Sequence, residues 1–318
     1  MHEQATAPAP DTVRQSTELS RHAAIPDRVA FLPSPLGPLA RLSAPGGTAT
    51  VALLGAQTLS WRPSGGEEVL FRPSAPLSAP ATGEEIHGGI PVCWPWFGRM
   101  GPPDSLPHGL ARYLPFAVDS ASATAERTEL RLSLASPPEG FPAFPHPFRL
   151  EVRVSLGAVL KLSLRAANAG REAFAVTAGF HPYLRVSDAD SVLLDGFDGA
   201  PYLDWHPGAD GREPQAVQSG PYRPEPGSRV FAVPRASCRL LDPGLRRVVY
   251  LEARGHSRWC VWRSSPIPEG TSRGNLRPGD VRAFACAEPV VFPRCDAILL
   301  RPGESHTMHL ALRAEAMP

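Results

Sequence analysis

The chain has 318 residues, 42% of them hydrophobic, which is enough for one large core or two ordinary domains. Its 32 Lys and Arg residues nearly balance its 31 Asp and Glu residues, so the formal net charge is +1. This balance provides no electrostatic footprint for nucleic acid or an anionic membrane surface, and we expect neither as a partner.

Residues 1–25 mix Ala, Pro, Thr and Gln with charged residues and show no hydrophobic period. We therefore predict a mobile N-terminal arm. The segment contains no apolar run of signal-peptide length, and no stretch of the chain approaches the ~18 apolar residues of a membrane helix. The expectation is a soluble cytoplasmic protein.

Across the whole chain, 38 Pro and 28 Gly residues mark off short segments that rarely leave room for a helix. Between these breaks, Leu and Val recur at every second position with Arg, Glu, Ser or Thr between them. This is the period of a strand with one face on a core and one facing water. The clearest predicted strands are residues 49–54, 128–134, 149–156, 159–165 and 308–313.

The strands at 149–156 and 159–165 are separated only by Gly157 and Ala158, which predicts a hairpin with Gly157 at positive φ. Successive strands without helical periods between them indicate an all-β fold, an antiparallel sandwich or barrel. No change in composition divides residues 26–318, and no internal repeat is visible, so we predict a single domain there.

The cysteines and histidines give little support for a metal centre. The five cysteines are odd in number, widely spaced and without a CxxC motif, which favours buried free thiols in a reducing compartment. His306 and His309 lie three residues apart in a predicted strand, so they should face opposite sides. His87 and His108 lack metal-ligand spacing, and we predict no metal.

Residues 83–116 are the densest candidate site. The segment GEEIHGGIPVCWPWFGRMGPPDSLPHGLARYLPF combines two histidines, two tryptophans and two arginines with many Gly and Pro residues. Aromatic faces pack against sugar rings, and glycines allow close backbone approach, so the composition suits a walled pocket. A rigid loop whose aromatics fill the core is the alternative.

Three residues are candidates for proton transfer, each with a structural alternative. His108, in a loop, and His181, at a strand end before Pro182, could serve as proton carriers or as structural hydrogen-bonding groups. Glu288 follows Phe284 and Cys286 at two-residue steps, which places a carboxyl group on the apolar side of a strand and would raise its pKa. Alternatively, Glu288 has turned out to solvent.

Taken in order, these segments resemble the aldose 1-epimerase superfamily, and most closely its hexose-6-phosphate mutarotase branch. The resemblance covers nearly the whole chain after residue 30, and the GGIPVCWPWFG and HGLAR elements are its most specific parts. The segments are Gly55–Pro63, Gly88–Gly98, His108–Arg112, His181–Tyr183, Cys286–Glu288 and Arg301–Glu304.

The resemblance implies a large, twisted antiparallel β-sandwich that interconverts the α and β anomers of a hexose. It implies His181 as the general acid and Glu288 as the general base, with His108 contacting or orienting the sugar in the pocket. Arg112 would hold the anionic or hydroxyl end of the substrate. Two proton carriers suffice for ring opening and closure, so no cofactor is expected.

Departures from the family pattern concern the substrate. The branch specific for phosphorylated sugars usually has Ile-Arg-Gly-Gly where this chain has Ile86-His87-Gly88-Gly89, so an imidazole replaces a guanidinium. His87 remains a substrate-binding candidate. Arg229 or Arg263 could supply a replacement charge, and we expect a hexose substrate, with a hexose 6-phosphate as the predicted form.

Two other functions remain open at this stage. A protein of this fold could bind carbohydrate without turning it over. A glycoside hydrolase or lyase would need a second carboxylate at roughly 5–10 Å from Glu288, and Asp280, also a substrate-binding candidate, is the nearest in sequence. We expect a monomer whose partner is a small sugar or sugar phosphate.

Overall fold

The regular secondary structure of the described residues is mainly β. A computed structural model describes residues 10–76, 85–205, 216–292 and 296–317. One α-helix, α1, spans Pro10–Ala23, and two short 3₁₀ helices span Ala111–Tyr113 and Pro278–Arg282. In chain order, the strands are β1 (Val29–Leu32), β2 (Leu39–Ala44), β3 (Gly47–Ala52), β4 (Thr58–Pro63), β5 (Val92–Cys93), β6 (Ala117–Ala123), β7 (Thr128–Ala135), β8 (Phe148–Leu156), β9 (Leu160–Asn168), β10 (Phe174–Val176), β11 (Ala178–Phe180), β12 (Tyr183–Arg185), β13 (Leu193–Asp195), β14 (Pro201–Trp205), β15 (Ala216–Val217), β16 (Gly227–Phe231), β17 (Ser237–Asp242), β18 (Arg247–Arg254), β19 (Arg258–Arg263), β20 (Phe284–Val291), β21 (Ile298–Leu300) and β22 (Ser305–Ala316).

Two eight-stranded sheets form the body of the molecule. One has the order β13-β17-β18-β22-β9-β8-β7-β6, and the other runs β15-β14-β16-β19-β20-β11-β5, with β12 also paired to β20. A four-stranded sheet of β1 to β4 and a pair formed by β10 and β21 complete the fold. The ladders within both large sheets are antiparallel, as the predicted sandwich requires.

The core lies between the two large sheets. In β8, Leu150, Val152 and Val154 are fully buried, while the residues between them are partly or fully exposed. From the other sheet, Ala285 and Ala287 of β20 belong to the same hydrophobic cluster. The alternation seen in the sequence therefore reflects a real division between a core face and a solvent face.

The predicted strands correspond to β3, β7, β8, β9 and β22. The hairpin joining β8 and β9 is also confirmed, with Leu156 paired to Leu160. The prediction of positive φ at Gly157 was wrong, because this residue is absent from the positive-φ positions of the chain. Instead, its carbonyl oxygen would lie 2.0 Å from a Cβ atom at Gly46, so close packing of the two turns requires the glycine at position 46.

Residues 10–25 differ from the predicted mobile arm, and residues 1–9 of that arm lie outside the described residues. Pro10 begins α1 with Asp11 in its first turn, and no further proline interrupts the helix before Pro26. Ser16 is buried, and Leu19 and Ala23 pack against the hydrophobic core. The apolar residues are spaced along one helix face, a period that the scattered polar residues concealed in the sequence.

The described residues contain no helix that is both long and apolar enough to cross a membrane. The cytoplasmic location and the monomeric state stay predictions.

Candidate active site

Glu288 lies on the outer face of β20, away from the sandwich core. All eight residues of this strand are buried. Phe284, Cys286 and Val290, two or four residues from Glu288, pack in clusters on that outer face. Glu288 itself is 0% exposed, so the alternative that it turns out to solvent was wrong. The strand therefore presents a carboxyl group within an apolar surface.

The environment of Glu288 favours its protonated form. Burial raises the pKa of this carboxyl well above its ordinary range, and the positive charge of Arg112 offsets only part of the effect. Neither carboxyl oxygen has a hydrogen-bond partner among the residues described. An unpartnered buried carboxyl is costly for the fold, which is typical of a functional group.

His181 lies between β11 and β12 and faces Glu288. Its Nε2 atom is 3.5 Å from Oε2 of Glu288. Its backbone N–H donates to the Pro91 carbonyl at 3.0 Å, so the GGIP segment holds the histidine in place. The imidazole stacks on the ring of Tyr183, with centroids 4.6 Å apart and planes inclined by 9°.

Burial lowers the pKa of His181 well below the ordinary histidine value, and the nearby His108 and Arg112 lower it further. The imidazole is therefore neutral when the pocket is empty. The neutral imidazole and the protonated carboxyl lie 3.5 Å apart, close enough for the titration of one group to depend on the protonation of the other.

His108 contributes a second neutral imidazole. Burial, followed by the charge of Arg112, lowers the pKa of His108 to about 3. The backbone N–H of Gly98 donates to its Nδ1 atom at 3.2 Å, so the ring carries its proton on Nε2. The rings of His108 and His181 lie 5.2 Å apart. His108 also lines the pocket described next, where it can contact a sugar.

These groups open into one pocket with a volume of about 180 Å³. At ~30 Å³ for each water molecule, this is room for roughly six waters, on the scale of a single sugar ring. Glu288, His181 and His108 line it, as do the aromatic side chains of Phe97, Tyr183, Trp205 and Trp262. Apolar walls with a few convergent polar groups are typical of a small-molecule site.

The sequence places this site in a known family. The family described as aldose 1-epimerase matches residues 38–313. The chain belongs to the aldose 1-epimerase family. It is an epimerase, an enzyme of the isomerase class.

Relatives of this epimerase agree with that assignment. A Salmonella typhimurium protein named "Putative glucose-6-phosphate 1-epimerase" is 31% identical over 244 residues, which cover 76% of this chain and 79% of that protein. A Cenchrus ciliaris protein of the same name is 28% identical over 275 residues, 84% of this chain and 81% of that protein.

Solved structures show the same fold. The crystal structure of a "putative mutarotase" from Salmonella typhimurium superposes with a TM-score of 0.81 at 26% identity. The match covers 92% of this chain and 96% of that one. A galactose mutarotase related enzyme from Lactobacillus acidophilus gives 0.70 at 14% identity, covering 88% and 98%. The second likeness concerns the fold alone.

Arg112 of this epimerase does not occupy the predicted position. Its side chain is buried outside the pocket lining, where it donates to Oε1 of Glu85 at 2.8 Å and to the Ile86 carbonyl at 3.1 Å. The 3₁₀ turn Ala111–Tyr113 places the Arg112 side chain behind the residues that line the pocket. We predicted a direct contact with the substrate. Instead, Arg112 holds Glu85, which does line the pocket.

Asp280 and Arg229 also lie outside the pocket lining. Asp280 accepts hydrogen bonds from the backbone N–H groups of Ser74 and Arg277 at 3.1 and 2.9 Å, and so closes the start of a 3₁₀ helix. Arg229 pairs with Asp204 at 2.7 Å and lies over the ring of Tyr202. Since Ser228 and Val230 line the pocket, strand alternation turns Arg229 to the opposite face.

These positions also weaken the hydrolase alternative. Asp280 cannot serve as a second catalytic carboxylate because its oxygens are committed to this 3₁₀ helix and to Ser74. Among the described residues that line the pocket, the carboxylate other than Glu288 is Glu85, which is paired with Arg112.

Sequence reasoning missed two cations at the pocket. Arg99 and Arg273 both line it, and both are exposed residues. Arg99 follows the GGIPVCWPWFG element directly, so its position next to a recognised motif was a usable signal. Arg273 lies in an irregular loop, and no pattern in the sequence points to it. Arg263, the other suggested replacement charge, pairs instead with Asp190.

The site also contains a possible set of metal ligands. Ligand atoms of His181, Cys286 and Glu288 lie within 4.8 Å of one another. Burial raises the pKa of the Cys286 thiol and of the Glu288 carboxyl well above their ordinary values. Metal binding would have to displace both protons.

Proposed function

We propose that this epimerase interconverts the α and β anomers of an aldohexose, with a hexose 6-phosphate as its substrate. The observation that carries the proposal is the approach of His181 Nε2 to Glu288 Oε2 at 3.5 Å, within a pocket the size of one sugar ring. The names of the Salmonella and Cenchrus relatives support the glucose 6-phosphate assignment.

In the proposed reaction, a proton moves first from Glu288 to His181. Glu288 then removes the proton from the anomeric hydroxyl O1–H, while His181 donates its proton to the ring oxygen. The C1–O5 bond breaks, and a C1=O1 bond forms. Rotation about C1–C2 presents the other face of the aldehyde, and the same steps in reverse close the ring.

Burial suits both residues to these roles. A raised pKa makes the Glu288 carboxylate a stronger base than a solvated one, and a lowered pKa makes protonated His181 a stronger acid. The polar sugar replaces the apolar environment of the empty pocket, which helps the charged pair to form. No redox change or covalent intermediate is needed.

The test is NMR exchange spectroscopy at the anomeric proton of glucose, galactose and their 6-phosphates. We expect the native protein to accelerate exchange for at least one sugar. The variants Glu288→Gln and His181→Asn should each lower the rate about 10²- to 10⁴-fold, the usual contribution of a positioned proton carrier. Glu252→Gln, an exposed change on β18, is the matched control.

Unchanged exchange rates in both variants, with sugar binding retained, would contradict the proposed mechanism. Absence of acceleration for all four sugars by the native protein would contradict the proposed substrate class.

A further inference from the structure

The loop between β19 and the 3₁₀ helix Pro278–Arg282 is anchored beside the pocket. Ile267 and Leu276 are buried in a hydrophobic cluster that includes Phe71, Tyr183 and Phe284. The backbones of Arg273 and Leu276 exchange two hydrogen bonds of 3.1 and 3.0 Å, closing a two-residue turn over Gly274 and Asn275. Because Gly274 has φ +56°, the turn depends on glycine at its first central position.

This turn packs directly on His87. Oδ1 of Asn275 accepts the backbone N–H of His87 at 3.0 Å and lies 2.9 Å from its Nδ1 atom. A Cβ atom at Gly274 would lie 3.1 Å from Cε1 of His87, closer than an ordinary van der Waals contact, so any larger residue would push the imidazole aside. The turn and the GGIP segment therefore form one continuous wall.

The contact with Asn275 determines which nitrogen of His87 carries a proton. Since Oδ1 of Asn275 already accepts the backbone N–H, the nearby Nδ1 must donate to the same oxygen. Burial lowers the pKa of His87 and outweighs the opposite effects of the Glu85 carboxylate, 3.8 Å from Nε2, and of the Asn275 hydrogen bond, which leaves a neutral ring with an unprotonated Nε2. Such a nitrogen accepts hydrogen bonds and repels an anion. His87 is thus poorly suited to hold a phosphate.

Arg273 offers the positive charge that His87 lacks. It begins the turn, lines the same pocket as His87, and one of its NH groups donates to Oγ of Ser264 at 2.7 Å. Ser264 is 2% exposed, so this hydrogen bond fixes the guanidinium to a buried part of the loop. Within the ranges that the structure describes, neither Arg273 nor Arg99 forms an ion pair, whereas Arg112 is paired with Glu85.

We propose that Arg273, together with Arg99, forms the subsite for the phosphate of a hexose 6-phosphate. Both guanidinium groups are exposed in the lining of a pocket that also contains the buried residues His181 and Glu288. A phosphate keeps its charge and part of its hydration there, while the anomeric carbon reaches the apolar interior. A guanidinium can bind phosphate oxygens in pairs, which a lysine cannot. The subsite rests on the proposed function.

The test compares glucose 6-phosphate with glucose in anomeric exchange. Arg273→Gln should raise KM for glucose 6-phosphate about tenfold, as expected for a lost charge-assisted contact, without changing kcat. The KM for glucose should stay within twofold. Arg273→Lys should give an intermediate KM, and Arg99→Gln should act in the same direction as Arg273→Gln. Arg254→Gln on β18, which also removes one exposed positive charge, should leave the KM for both sugars unchanged.

A second readout does not require turnover. Titration of inorganic phosphate, followed by NMR of the protein, should give a weaker Kd for Arg273→Gln than for the native protein or for Arg254→Gln. Equal effects of Arg273→Gln on both sugars, or unchanged phosphate binding and an unchanged KM for glucose 6-phosphate, would overturn the subsite. Absence of exchange with every sugar, but weaker phosphate binding in Arg273→Gln, would instead overturn the proposed function and retain the anion site.

Discussion

Glu288 is the residue whose chemistry depends most on its surroundings. It is 0% exposed, and the neighbouring His181 is itself held neutral by burial. Because folding raises its pKa, the folded state binds its proton more tightly than the unfolded state does. The tighter proton binding by Glu288 stabilises the folded state fully below the pKa of the carboxyl in the unfolded chain, about 4.3. This stabilisation is lost as pH rises through the pKa of Glu288 in the folded protein.

Glu288→Gln should therefore stabilise the protein increasingly as pH rises from 5 to 9. The glutamine keeps the shape of the protonated acid and cannot ionise. The difference in free energy of unfolding between the variant and the native protein should grow by up to about 1.4 kcal/mol per pH unit. This growth should stop once pH passes the pKa of Glu288 in the folded protein. Urea unfolding at several pH values measures this difference. Identical pH dependence in the two proteins would contradict a raised pKa. Glu252→Gln should show no such trend.

At the level of single residues, the sequence predicted the polar pocket groups better than the supporting ones. His181, Glu288 and His108 stand in specific motifs, and all three line the pocket. Arg112 stands in an equally specific motif, yet its side chain lies behind the wall. A motif indicates which residues belong near a site, whereas the direction of each side chain depends on the packing around it.

At the level of elements, β20 contributes to both the hydrophobic core and the candidate active site. Its inner face, with Ala285 and Ala287, packs in the sandwich, and its outer face carries Glu288 into the pocket. The period of two in the sequence was sufficient to predict that Phe284, Cys286 and Glu288 share a face. The packing of the loop containing Arg273 against His87 was not predictable, because the contact between Asn275 and His87 joins irregular segments far apart in the chain.

Turns beside the site should be more sensitive than turns at the surface. Gly89 and Gly65 both have positive φ, at 62° and 68°. A Cβ atom at Gly89 would lie 2.2 Å from the Thr58 carbonyl oxygen, whereas one at Gly65 meets nothing within 4 Å.

Gly65→Ala should lower the free energy of unfolding by about 1 kcal/mol, the cost of backbone strain alone. Gly89→Ala should cost clearly more and also reduce anomeric exchange, because the Gly89 carbonyl accepts the N–H of Tyr183 next to His181. Urea denaturation and exchange rates measure both effects. Equal destabilisation by the two changes would contradict the role of close packing at Gly89.

At the scale of the whole molecule, the main core and the pocket lie on opposite faces of the sheet that contains β20. Leu150 is fully buried in the main core and lies in the other large sheet. Leu150→Ala should therefore lower the free energy of unfolding by about 2–5 kcal/mol through the cavity that it leaves. The KM for sugar should stay unchanged, because Leu150 does not line the pocket.

Lys161→Ala, an exposed change in the neighbouring strand β9, should cost less than about 0.5 kcal/mol and serves as the control. A change in KM caused by Leu150→Ala at temperatures where the variant is folded would show that the core and the pocket are coupled.

By itself, the sequence determined the fold class, the positions of the clearest strands and the family, and it predicted which residues could carry protons. These depend on local periods and on motifs that a single segment contains. The tertiary structure alone decided that Arg112 and Arg229 are committed to Glu85 and Asp204, and that Arg273 reaches the pocket. Ion pairs and loop packing join residues that are distant in sequence. Such contacts produce no periodic pattern of residue types along the chain, so the sequence does not reveal them.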